Sequence, residues 1–327
     1  MTSRWIIGPR SDVLWILGGL LAGYALFFAH QAFRIDLLAV WFGWMLALDG
    51  PHVFATWSRT YLLREEWGRR PGLLLSGLAL AGLPAVVLLL SRPCFYALLA
   101  AVNLWGFWHV VRQHEGLLGL YRRRNGDGPA DARFDRALLY VALAAPFAAL
   151  ITRHPEARAA IGWTTEVPPE AALGAVGAVV LVYAVRQVRL RRPNVPKLLF
   201  LGLLVPFYPL VCTSSSVLTA PLMGVVPILT ISHDLHYHAM VRFYHHNRGT
   251  GGAWHPAAGL ALGVLLAVLG CTLDSNLAVG AGLRSSVPVR EACLAVFHGV
   301  FLHHYFIDGF IWKPSRDPSV REGLALS

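Results

Sequence analysis

Long apolar runs recur along the whole of this sequence, separated by short segments rich in arginine. A bilayer core about 30 Å thick takes about 20 apolar residues per helical crossing. Lipid offers the backbone no hydrogen-bond partners, so each run must satisfy its own amides and carbonyls as a helix. Ten candidate spans follow, at 12–30, 37–62, 72–90, 94–121, 137–151, 170–188, 198–212, 217–244, 257–273 and 290–311. The expected fold is all-α: a polytopic integral membrane helical bundle of about ten transmembrane helices, with 1–327 as a single membrane-embedded domain. Only 14% of residues are charged, against about 25% in soluble domains. The polar stretches 122–136 and 152–169 read as loops. The first run follows Arg4 and Arg10 as a signal sequence would, but lacks a small-x-small cleavage site and reads as a retained helix.

An even number of spans places both termini on one side. About eighteen basic residues, among them Arg4, Arg69, Arg70, Arg122, Arg191, Arg192, Lys197, Arg248 and Lys313, then share that side. About six, including Arg34, Arg153 and Arg284, lie on the other. The positive-inside rule makes both termini cytoplasmic, in a bacterial inner membrane. The net charge of +10 is thereby explained by membrane loops, and no nucleic-acid partner is expected. Cys94, Cys212, Cys271 and Cys293 have no paired spacing and read as small core residues.

Histidine breaks the apolar plan. Ionisable residues inside a bilayer are costly and mark functional sites by default. The densest stretch holds His233, Asp234, His236, Tyr237 and His238, and runs on to Tyr244, His245 and His246. At 100° per residue His233, His236 and Tyr237 take one side of a helix and Asp234 and His238 another, so neither side suits lipid. His245 and His246, beside Arg248, are expected at the membrane surface. In the second span Asp49, His52, Thr56 and Arg59 form one stripe, with Gly50-Pro51 expected to kink the helix. In the fourth, His109, Arg112, Gln113 and Gly116 share a face, with His114 and Glu115 off it. In the tenth, His298, His304, Tyr305 and Asp308 cluster within a third of a turn, His303 points elsewhere, and His304 and Asp308 are an i,i+4 pair. His52, His109, His238 and His303 each precede the cytoplasmic basic residues by about 15–20 Å of helix. Four helices thus bring imidazoles to one depth. The isolated His30, His154 and His255 are expected near span ends, at the surface.

This donor set, rich in imidazole with carboxylates and no thiolate, suits iron, zinc or copper. A single tetrahedral zinc uses three or four ligands, so the surplus points to two metal ions. The expected metal ligands are His52, His109, His114, His233, His236, His238, His298, His303 and His304.

The spacings His109-x4-His114, His233-x2-His236-x-His238 and His298-x4-His303-His304 resemble the histidine motifs of the membrane di-iron desaturases and hydroxylases. The Gly50-Pro51-His52 element is similar to one in the bacterial and archaeal membrane oxygenases that cleave β-carotene to retinal. These resemblances imply two irons that activate dioxygen for oxidation, desaturation or cleavage of a lipophilic substrate, a lipid or carotenoid. A cytoplasmic electron donor is implied unless the reaction is a dioxygenation. In that reading Asp49, Asp234 and Asp308 are ligands or orient them, and Arg59, Arg112 and Gln113 position water, dioxygen or a head group. Tyr237, Tyr244 and Tyr305 then donate protons or hydrogen bonds. A zinc-dependent membrane hydrolase, a metal or small-molecule transporter and a b-type haem protein are the alternatives.

Overall fold

A computed structural model describes residues 4–189, 193–251, 255–271 and 287–326. Arg191, Arg192 and Arg284 of the charge comparison, and the end of the ninth span, lie outside the described residues. Every regular element among the described residues is helical: α1 (Pro9–Phe33), α2 (Leu37–Arg59), α3 (Arg64–Arg69), α4 (Pro71–Leu90), α5 (Arg92–Asn125), α6 (Pro129–Arg153), α7 (Pro155–Ile161), α8 (Pro169–Val188), α9 (Val195–Cys212), α10 (Ser215–Leu218), α11 (Leu222–Arg248), α12 (Pro256–Gly270), α13 (Val287–Ile311) and α14 (Pro318–Gly323).

Proline sets many of the starts. It opens α1, α4, α6, α7, α8, α12 and α14, where its fixed φ suits a helix and its missing N–H leaves no bond unmade. Side chains close other ends. Asn194 accepts from the Lys197 amide at the head of α9, and Asp317 from the Ser319 amide at the head of α14. His154, expected at the surface, is buried instead. Its Nδ1 accepts from the Glu156 amide at the head of α7 while its Nε2 donates to the Ala220 carbonyl, 2.9 Å away.

Among the described residues eight helices are long and apolar enough to cross a membrane: α1, α2, α4, α5, α6, α8, α9 and α13. The eighth expected span, 217–244, is divided between the end of α10 and α11 by a break at 219–221, and the ninth falls on α12; neither α11 nor α12 is in that set. Helix α11 carries His233, Asp234, His236, His238 and Arg242, which lower its hydropathy. Helix α12 has 15 residues, about 22 Å of rise, and the ninth span runs on beyond the described residues. The fifth span, expected to be short, becomes the 25-residue α6 because Asp131 and Asp135 stay on the helix. Asp131 accepts from the Gly128 amide, and Asp135 is neutralised by neighbours described below.

The chain forms two compact units, Met1–Trp41 with Val110–His236, and Phe42–His109 with Tyr237–Ser327.

In the first unit α6 packs against α8 and α9, and α9 against α1. A buried polar network pins these helices at one end. Lys197 is 1% exposed, and its Nζ lies 2.6 Å from Asp127 and 3.2 Å from Asp135. Asp135 also accepts from Tyr183 at 2.9 Å and pairs with Arg122 at 3.3 Å.

In the second unit α4 packs along α13, and α12 crosses α2. That crossing is backbone on backbone: a Cβ at Gly50 would run into the Gly263 backbone, and one at Gly263 into the Leu46 carbonyl. Small residues permit such approach where helix packing alone must hold the structure. Gly263→Leu is expected to separate α12 from α2 and to lower stability by about 1–3 kcal/mol, measured by reversible unfolding in mixed micelles; unchanged stability would refute the tight crossing.

Among the described residues π turns interrupt two long helices, at Asp12–Leu17 in α1 and Met45–Asp49 in α2. The second accommodates the expected distortion at Gly50-Pro51. Pro51 brings no amide to the ladder, and the Gly50 amide bonds back to the Met45 carbonyl, a wider register.

Candidate metal centre

Within the second unit, His52 on α2, His109 on α5 and His304 on α13 converge. Each offers a ring nitrogen, and these nitrogens all lie within 4.8 Å of one another. The three residues are 1%, 8% and 1% exposed. The Nε2 atoms of His52 and His304 are 2.9 Å apart, and the His109 and His304 rings have centroids 4.9 Å apart.

A hydroxyl network fixes His304. The Thr56 hydroxyl donates to Asp308 Oδ1 at 2.9 Å, and the Tyr237 hydroxyl donates to the same oxygen at 2.8 Å. With its proton so committed, Thr56 Oγ1 accepts from His304 Nδ1 at 2.8 Å. The His304 Nε2 therefore carries the lone pair, and it is turned toward His52 Nε2. Two nitrogens at that separation need either a proton from His52 or a cation that both lone pairs address. The other carboxylate oxygen, Asp308 Oδ2, stands 4.0 Å from both His109 Nε2 and His304 Nε2. Trp312 Nε1 reaches the Tyr237 hydroxyl at 3.4 Å, and Ala55, Tyr237 and Val241 close an apolar shell with Trp312.

The donor chemistry fits a transition metal: three imidazoles, a carboxylate beside them, and an imidazole tautomer set by a hydrogen bond on its far nitrogen, the arrangement metal-binding histidines use. Thr56→Val removes the acceptor for His304 Nδ1 and a donor to Asp308. The expected result is a 10–100-fold loss of metal affinity with the ligands intact, read by competition with a chelator; wild-type affinity would rule out this orienting role.

The other expected residues of this unit are placed as follows. His238 donates from Nε2 to the Leu48 carbonyl on the π turn at 3.1 Å, and its ring centroid is 6.2 Å from that of His52. Asp49 is buried on the same turn. Tyr305 lies with its ring centroid 5.0 Å from that of His109, fitted against Gly106, where a Cβ would clash with the phenol. His298 donates to the Leu294 carbonyl at 2.9 Å. His303 is turned away and its Nε2 lies 2.8 Å from the Tyr61 hydroxyl. Burial pushes the Tyr61 phenol up to about 12, and its proton goes to the Leu74 carbonyl at 2.8 Å, so His303 is the donor in that pair.

Arg59 is buried but engaged with Glu66 at 2.9 Å, and its guanidinium lies 4.0 Å over the Tyr244 ring. His245, expected at the surface, is 2% exposed, with Ser58 and Thr250 as partners. His246 is exposed.

The remaining expected residues belong to the first unit. Gln113 donates to the His233 carbonyl at 2.7 Å. Asp234 is buried on α11. On α5 the face that His109, Arg112, Gln113 and Gly116 share is buried at His109 and exposed at Arg112 and Gly116. Arg112 is 52% exposed at its side chain and binds Tyr140 at 2.8 Å, and Gly116 is exposed. His114 and Glu115, expected off that face, are the buried pair. Glu115 turns inward because Arg136 and Tyr140 each meet it at 2.7 Å. His114 Nδ1 donates to the Val110 carbonyl and His236 Nε2 to the Ile16 carbonyl.

The chain matches no protein-family model, no curated protein and no solved structure. Its site is therefore read from its own residues. Thr56 and Trp312 were not among the expected functional residues. Thr56 stood on the His52 stripe at i+4, which was the available signal; Trp312 and Tyr61 had none, since their roles arise only from long-range packing.

Proposed function

We propose that this protein is a membrane metalloenzyme in which His52, His109 and His304, with Asp308 beside them, hold a redox-active metal, iron, that activates dioxygen against a lipophilic substrate. The observation that carries the reading is the convergence of three buried imidazole nitrogens within 4.8 Å of one another amid apolar helices. Bound there, iron would supply the one-electron and oxygen chemistry that side chains lack. The protein's own residues do the rest. Thr56 and Asp308 hold His304 in the tautomer whose Nε2 is free of a proton. Tyr237 keeps a proton on its hydroxyl, hydrogen-bonded to Asp308 Oδ1, within one bond of the site. The shell of Ala55, Val241 and Trp312 keeps bulk water out.

The same reading takes the chain through the membrane ten times, with α11 and α12 added to the eight long apolar helices and both termini in the cytoplasm of a bacterium. The substrate is a lipid or carotenoid, and a cytoplasmic reductase supplies electrons if only one oxygen atom is transferred.

A second reading is favoured by the donor set itself: three histidines are also the ligand set of catalytic zinc, which activates water for hydrolysis. Metal analysis of detergent-purified protein, with dioxygen consumption measured on added lipids and carotenoids, separates the two. Iron and substrate-dependent dioxygen uptake support the oxygenase. Zinc at full occupancy without uptake supports the hydrolase, and a metal-free, inactive protein would sink both.

A further inference from the structure

The first unit contains an arrangement that the three-histidine centre does not use. His114 on α5 and His236 on α11 are both 0% exposed. Each has one ring nitrogen tied to a backbone carbonyl: His114 Nδ1 to Val110 at 2.8 Å, and His236 Nε2 to Ile16 at 2.7 Å. A carbonyl oxygen only accepts, so both of those nitrogens carry the proton. The opposite nitrogens, His114 Nε2 and His236 Nδ1, therefore hold bare lone pairs. Both are fully buried, and neither has a hydrogen-bond partner among the described residues.

Two buried acceptors left unmatched are costly, and their pairing is unusual. The ring centroids stand 5.6 Å apart with planes at 82°. A metal ion takes imidazole nitrogens at about 2.0–2.1 Å, a reach compatible with two rings whose centroids are 5.6 Å apart. Metal-binding histidines almost always donate their other N–H to a carbonyl, a carboxylate or water; here both do, to carbonyls.

The local backbone is built to allow it. Ile16 lies in the π turn of α1, where the helical ladder changes register. Gly19, one turn on, has no side chain: a Cβ there would meet His236 Nε2 at 3.0 Å and press the ring back by a few tenths of an ångström. Phe200 flanks both rings, each centroid 6.0 Å from its own. Glu115, the adjacent carboxylate, is already committed to Arg136 and Tyr140.

We infer that His114 Nε2 and His236 Nδ1 bind a divalent first-row transition metal, forming a second metal site wholly within the first unit. Two protein ligands leave positions open for water or another small ligand. The site does not depend on the three-histidine centre being a metal site.

The test uses full-length protein in detergent, with bound metal counted after expression in metal-replete medium and again after dialysis against Zn2+. The wild type is expected to hold two equivalents. His114→Ala and His236→Ala are each expected to lose one equivalent and keep the other, while His109→Ala loses the second and keeps the first. Elution volume and melting temperature check that each variant is folded. If His114→Ala does not fold, the wild-type stoichiometry and His236→Ala still decide. A wild type with one equivalent that His109→Ala removes overturns the proposal. So do folded His114→Ala and His236→Ala variants with wild-type metal content, the result expected if the pair binds only water. A single equivalent lost in His114→Ala and His236→Ala but retained in His109→Ala supports the proposal and removes the three-histidine reading instead.

Discussion

His304→Ala is expected to abolish metal binding at the three-histidine centre and, with it, all turnover. The effect exceeds the loss of one ligand. His304 Nε2 sits 2.9 Å from His52 Nε2 and its Nδ1 reaches Thr56 at 2.8 Å, so its removal takes away a donor and frees the hydroxyl that orients Asp308. Bound metal, counted on purified protein, is expected to fall by one equivalent. His298→Ala is the control: His298 donates to its own helix at the Leu294 carbonyl, and its loss is expected to leave metal content unchanged. Equal metal loss in the two variants would mean that the centre has been placed on the wrong residues.

Lys197→Met is expected to lower stability by about 3–5 kcal/mol, because removing one member of a buried charge network leaves its partners uncompensated. Lys197 is the cation that lies between Asp127 and Asp135, at 2.6 and 3.2 Å. Methionine fills the same space but leaves the Asp135 carboxylate with Arg122, at 3.3 Å, as its remaining cation. Asp135→Asn introduced with Lys197→Met should recover part of the loss, since it removes a charge that methionine cannot match. Reversible unfolding in mixed micelles gives both values. A Lys197→Met protein as stable as wild type would show that the network contributes nothing net.

Much of the architecture was legible in the sequence because hydropathy acts locally. A run of apolar residues has one stable form in lipid whatever its neighbours do, and eight of the expected spans match helices long and apolar enough to cross a membrane among the described residues. Proline opens many of the helices for an equally local reason. The polar stretches were harder. The acidic head of α6 reads as a loop until Lys197, Arg186 and Tyr183 supply its partners from other helices. His154 and His245 read as surface residues until backbone and hydroxyl partners bury them.

The site divides along the same line. By itself the sequence determined that His304 and Asp308 share a helical face and that His303 does not join them. These follow from the rise and turn of a helix. Only the tertiary structure decided which imidazoles meet. It gathered His52, His109 and His304, and it set His298 and His303 against a carbonyl and a phenol. It also placed Thr56 between His304 and Asp308, and turned Arg112 outward while His114 turned in. Helical periodicity fixes angles within one helix, but which faces of separate helices come together is set by packing. Here that packing depends on glycine crossings, π turns and buried ion pairs whose partners lie far apart in the chain.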